Sequence, residues 1–118
     1  VGTMQHDLTD AVSWAVAEGH AIKEKVAIFG GSYGGYACLA GLTFTPDVYC
    51  CGVDIVGPSH IKTLFESIPP YWAPMKQQLI TRVGDVENDE EVNRRISPLF
   101  HVDNIQVPLL IGQPPPAS

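Results

Sequence analysis

Apolar residues recur at Met4, Leu8, Ala11, Val12, Ala15 and Val16, the spacing of an amphipathic helix with one buried stripe. Gly19 then offers a natural C-terminal stop. The pattern changes over residues 25–29, a short apolar run ending in glycines that suits a parallel strand covered on both faces. A small-residue helix over 34–42 follows, ended near Pro46, and residues 49–56 form a second strand-like run closed by Gly57-Pro58. Residues 59–97 read as largely helical with loops, the helical stretches falling at 64–67, 75–83 and 89–95, and 107–111 is a third buried strand. Strands alternating with helices predict an α/β chain whose parallel sheet carries helices on both faces. No internal repeat is present. The end of the chain, Gln113-Pro114-Pro115-Pro116-Ala117-Ser118, has no apolar pattern and cannot continue a sheet. The expected organisation is one domain over 1–113 and a non-domain tail over 114–118.

Composition narrows the class of partner. Of 118 residues, 45% are apolar and 17% charged, ordinary for a globular chain with a core. The formal net charge is −6, and the seven Lys and Arg form no basic stripe, so no nucleic-acid partner is expected. No apolar run approaches the roughly 18 residues of a membrane span, so no membrane partner is expected either. Cys38, Cys50 and Cys51, an odd count with two adjacent, build no disulfide framework. They are expected as buried small hydrophobes in a reducing, cytoplasmic compartment. No paired Cys or His stands at ligand spacing, so no metal is expected. No secretory signal opens the chain, and Val1-Gly2-Thr3-Met4 reads as the interior of something longer.

One motif carries chemistry. Gly30-Gly31-Ser32-Tyr33-Gly34 matches G-x-S-x-G, after an expected strand and before an expected helix, which is the context a nucleophile elbow requires. The chain must turn sharply there, putting Ser32 in a strained backbone conformation and lifting its hydroxyl clear of the sheet. Side chains at positions 30 and 34 are expected to collide as strand and helix close, which accounts for both glycines. The helix N-terminus favours a developing anion, and the N–H of Tyr33 is the expected oxyanion donor. A phosphate-binding loop does not fit, because no Lys-Ser or Lys-Thr follows the glycines. A glycine-rich turn with an accidental serine is the remaining bland alternative.

Gly30-Gly31-Ser32-Tyr33-Gly34-Gly35-Tyr36 resembles the serine segment of the prolyl oligopeptidase family of serine peptidases, with its acylaminoacyl-peptidase and dipeptidyl-peptidase-like branches most similar. Asp7-Leu8-Thr9-Asp10-Ala11-Val12, Gly52-Val53-Asp54-Ile55-Val56-Gly57-Pro58-Ser59, Pro69-Pro70-Tyr71-Trp72, Arg82-Val83-Gly84-Asp85 and Ser97-Pro98-Leu99-Phe100-His101 extend the resemblance nearly to Gln113. It implies a partial α/β-hydrolase fold, an acyl-enzyme on Ser32, a peptide substrate and no cofactor. It also implies a pocket built from Tyr33 and the segment 58–72, lined by Ile61, Leu64, Ile68, Tyr71 and Trp72, the last three of which serve equally well as plain core.

A serine nucleophile needs a base and an orienting acid, in the chain order Ser, Asp or Glu, His. In the family resembled, the acid lies just beyond the strand matching 107–111 and the histidine later still, so the chain is expected to be truncated before both and inactive alone. His60 and His101 follow Ser32 but not at the family's position; His6 and His20 precede it. Asp54 is expected as a hydrogen-bonded structural carboxylate, and Asp85, Glu87, Asp89, Glu90 and Glu91 as a solvated face. Two alternatives stay open: a non-catalytic α/β-hydrolase-like binding module, and an esterase or lipase. A three-stranded slice of a parallel sheet is expected to form a homo-oligomer through its exposed edges and apolar patches.

Overall fold

The computed structural model of the chain describes residues 2–115; residues 116–118 of the expected tail lie outside the described residues. Helix α1 spans Gly2–Ala17, and Gly19 ends it at φ +78°, a conformation that glycine adopts at little cost. Strand β1 (Ala27–Gly31) leads through Ser32 into α2 (Tyr33–Phe44), followed by β2 (Cys51–Ile55). Three helices come next, α3 (Ile61–Glu66), α4 (Ala73–Val83) and α5 (Glu90–Ile96), and then β3 (Leu109–Gly112). Short 3-10 segments lie at Lys23–Lys25, Pro70–Trp72 and Pro98–Asn104. The sheet is wholly parallel in the order β1-β2-β3, with Gly31 opposite Ile55 and Ile55 opposite Gly112. Each strand starts two residues later than the apolar runs suggest. The glycines after Phe29 pair with Asp54 and Ile55 and so belong to β1. Pro108 has no N–H to give the ladder and contributes only its carbonyl, to Gly52 N–H at 3.0 Å.

Helix α2 is the hub. Tyr36, Cys38, Leu39, Ala40 and Leu42 are all buried on it. On one side Tyr36 and Ala40 join Ile61, Phe65, Val86 and Ile96; on the other Cys38 and Leu42 join Tyr49, with Ile28 and Leu109 packed against them. The Tyr36 hydroxyl donates to Ile96 O at 2.7 Å, so the buried phenol has its partner. Small residues let the layers meet: a Cβ at Gly52 would press on Leu42, and one at Gly41 on Tyr49.

The expectation of helices over both faces is met on one face among the described residues. Gly30, Gly52 and Asp54 are buried beneath α2, whereas the alternate positions Phe29 and Leu110 are 73% and 66% exposed. The buried stripe expected of α1 is likewise only half covered. Leu8 is exposed, and the one buried residue of the helix is Gln5, whose side-chain amide donates to Ala37 O at 3.1 Å. The cysteine expectation needs correction: Cys38 is buried, but Cys51 is half-buried and Cys50 exposed, because they stand where the loop enters β2, away from α2. No described helix is long and apolar enough to cross a membrane.

Candidate active site

Ser32 stands between the last residue of β1 and the first of α2, at φ +56° and ψ −119°. Hydrogen bonds on both sides fix this non-glycine residue in the left-handed half of backbone space. Its N–H donates to Ile55 O at 3.0 Å, and its carbonyl accepts from Tyr36 N–H at 3.1 Å. The glycines explain themselves in part as expected. A Cβ at Gly30 would run into the Gly34 backbone, but a Cβ at Gly34 would meet nothing within 4 Å. The second steric demand falls instead on Gly35, where a Cβ would strike the Asp54 carboxylate and the Gly57 Cα, the latter at 2.6 Å. The elbow is thus held by β1 from one side and by the turn after β2 from the other.

Tyr33 opens α2 and is half-exposed. Its N–H, in the first turn of the helix, has no acceptor among the described residues. Its hydroxyl donates to Met4 Sδ at 3.4 Å, and its ring lies 5.5 Å from that of Tyr36. Burial raises the Tyr33 phenol, and raises Tyr36 further, with Tyr33 adding to the shift. Both rings are neutral near pH 7, so the Ser32 environment carries no phenolate.

No histidine shares a hydrogen bond with Ser32 among the described residues. His60 caps α3: Nδ1 accepts from Thr63 N–H at 3.1 Å, Nε2 lies 3.4 Å from Asn93 Nδ2, and the ring sits against Phe100. His101 bonds Arg94 O through Nε2 at 2.8 Å and packs edge-on against Phe44. His6 and His20 lie in and just after α1; His20 stacks on Trp14. Asp54 is 2% exposed, accepts from Gly57 N–H at 2.9 Å, and has its pKa raised by burial, partly offset by that hydrogen bond. The acidic run is more than a solvated face. Asp89 caps α5 by accepting from Glu91 and Val92 N–H, Glu87 pairs with Lys76 at 2.8 Å, and Glu90 lies 3.4 Å from Lys62.

The expected pocket residues do not share one cavity. Ile61 is core, 2% exposed, and Ile68 packs beside it; Tyr71 and Trp72 are exposed, edge-to-face on one another. Leu64 alone of the five lines a cavity of about 680 Å³, with Pro58, Ser59 and His60 from the expected segment. The opposite wall includes Leu99, Val102 and Ile105, which sequence reasoning did not single out because an irregular 3-10 stretch has no periodicity to reveal its inner side. Neither Ser32 nor Tyr33 lines this cavity. Also unforeseen is Val56, a β-branched residue at φ +51° whose N–H donates to Gly112 O at 2.8 Å. It follows Ile55, the residue whose carbonyl holds Ser32, so two strained residues occupy neighbouring strand ends.

The model of the prolyl oligopeptidase family matches residues 2–113. The chain belongs to this family. It is 55% identical over 114 residues to dipeptidyl aminopeptidase BIII of Pseudoxanthomonas mexicana, covering 95% of the chain and 16% of that relative. It is 48% identical over 113 residues to dipeptidyl peptidase family member 6 of Caenorhabditis elegans, covering 93% of the chain and 15% of that relative. A crystal structure of puromycin hydrolase superposes with a TM-score of 0.78 at 26% identity, over 91% of the chain and 16% of that protein. The chain therefore spans about a sixth of the length of these relatives, and its three parallel strands with their helices are part of the family's α/β-hydrolase domain.

Proposed function

We propose that the chain carries the nucleophilic part of a serine-type peptidase, with Ser32 attacking the substrate carbonyl to form an acyl-enzyme. The observation that carries the reading is the strained Ser32 backbone at the start of α2, which a family of peptidases would use and a plain turn would not need. In this reading the Ser32 hydroxyl oxygen bonds to the carbonyl carbon. The Tyr33 N–H, aimed outward from the helix N-terminus, stabilises the oxyanion that forms. The names of the relatives, dipeptidyl aminopeptidase and puromycin hydrolase, favour short peptidyl or aminoacyl amides as substrates. Tyr71 and Trp72, exposed near the expected pocket segment, are then available to a substrate side chain; Ile61 is not, being sealed in the core.

The reading makes the 118-residue chain a poor catalyst by itself. His60 and His101, the two imidazoles that follow Ser32, are engaged elsewhere, and loss of the triad base costs orders of magnitude in rate. Turnover of aminoacyl and acylaminoacyl esters by the purified chain tests this. The expected rate is at least a thousandfold below the ordinary enzymatic value of about 10 per second. A rate near that value, lost in His60→Ala or His101→Ala, would show that one of these histidines reaches Ser32 and would overturn this part of the reading. We further propose that the chain associates with copies of itself through the open sheet face and the unpaired edges of β1 and β3.

A further inference from the structure

We propose that Cys50 and Cys51 form a two-sulfur chelate for a soft, thiophilic cation. Alternation along a strand sends adjacent side chains to opposite faces. Gly52 faces α2, so Cys51 faces the open side of the sheet. Cys50 precedes the strand, tied to it by its N–H to Val26 O at 2.8 Å, and its side chain escapes that alternation. The two sulfurs come within 3.9 Å of one another, with Cys50 exposed and Cys51 half-buried.

The separation decides between two chemistries. An ion that holds two thiolates at about 2.3 Å and a tetrahedral angle sets the sulfurs about 3.8 Å apart, a fit within about 0.1 Å. A disulfide needs them about 2.05 Å apart and usually joins Cα atoms at least about 4.4 Å apart, whereas neighbouring Cα atoms are held at about 3.8 Å. Chelation requires almost no rearrangement; oxidation requires a strained ring. No cluster of three or more His, Cys, Asp or Glu side chains forms a metal site among the described residues, so water completes the coordination. On binding, each thiol releases its proton to solvent as a metal–sulfur bond forms. Because each thiol gives up a proton on binding, protons compete with the ion.

The probe is Cd²⁺, added to the whole chain in a thiol-free buffer with a phosphine reductant. The expected result is a sulfur-to-metal charge-transfer absorption that saturates at about one equivalent, weakens as pH falls, and is accompanied by a rise in Tm that follows mass action. Cys50→Ser and Cys51→Ser each remove both signals while melting like the wild type without Cd²⁺. Cys38→Ala retains them, because Cys38 is sealed against Ile28 O on the other side of the sheet. Absence of the absorption in the wild type, or its persistence undiminished in either serine variant, overturns the proposal. Neither result bears on Ser32.

Discussion

Asp54 shows how one buried side chain ties the elbow to the rest of the sheet. Its carboxylate accepts from Gly57 N–H and fills the space that Gly35 and Gly57 leave by lacking a Cβ. Burial raises its pKa, so the folded state holds the proton more tightly than the unfolded chain does. The sign follows: the native state binds more protons in the window above the ordinary carboxylate pKa, and stability contributed by this group is lost as pH rises through that window. Asp54→Asn, which keeps an oxygen for Gly57 N–H, is therefore expected to melt higher than the wild type at neutral pH, with the advantage shrinking in acid. Thermal melts across pH measure this. Asp54→Ala removes the acceptor and is expected to cost about 1–3 kcal/mol. Ser32 was legible in the sequence because an elbow needs glycines at fixed offsets, and Asp54 was legible as a structural carboxylate. Val56 was not: nothing in its residue type suggests positive φ, and the partner of its N–H, Gly112, lies across the sheet and far off in sequence.

Among the elements, α2 bears the most weight. Gly30 and Gly35 are the points where backbone meets backbone, so no side-chain rotation relieves a clash there. Gly30→Ala and Gly35→Ala are each expected to destabilise by about 1–3 kcal/mol, read by denaturant unfolding, whereas Gly34→Ala, with open space around its Cβ, costs far less. Phe65 brings α3 onto α2 at 1% exposure, and Phe65→Ala is expected to cost about 3–5 kcal/mol. Helix and strand order followed from periodicity, since apolar runs and glycine stops report secondary structure directly. The boundaries shifted because ladder partners, which lie far off in sequence, decide where a strand begins. The expected pocket dispersed for a related reason: residues 61–72 mark an apolar segment, but its first turn faces Tyr36 and its end faces solvent, and only packing distinguishes the two.

At the scale of the whole chain, the described residues leave one face of a parallel sheet open, with Phe29, Ile55 and Leu110 exposed on it. Parallel sheets usually carry cover on both faces, so this face is where self-association is expected. Light scattering should report a species larger than 12.8 kDa for the wild type, and Phe29→Lys or Leu110→Lys should shift it toward the monomer. A wild-type monomer that melts cooperatively would mean that the chain closes its own core. Apolar patches were expected of a three-stranded slice, but not which face would carry them, because the strand runs have the continuous apolar signature of a doubly covered sheet whether or not cover is present. Among the described residues Ser32 and α2 have the backbone geometry of an elbow, while His60 caps α3 and His101 bonds the Arg94 carbonyl.

Acylation of the Ser32 hydroxyl oxygen is the central step proposed, and trapping the acyl group tests it directly. The chain is incubated with an activated aminoacyl ester, quenched in acid, and peptide-mapped by mass spectrometry alongside Ser32→Ala. Without an imidazole on Ser32 both steps are slow, so the activated ester is kept in excess over a long incubation. Water is then no better activated for deacylation, and the acyl group is expected to accumulate on Ser32 and to be absent from that peptide in the variant. Acylation confined to surface lysines, equal in both proteins and with none at Ser32, would contradict the account.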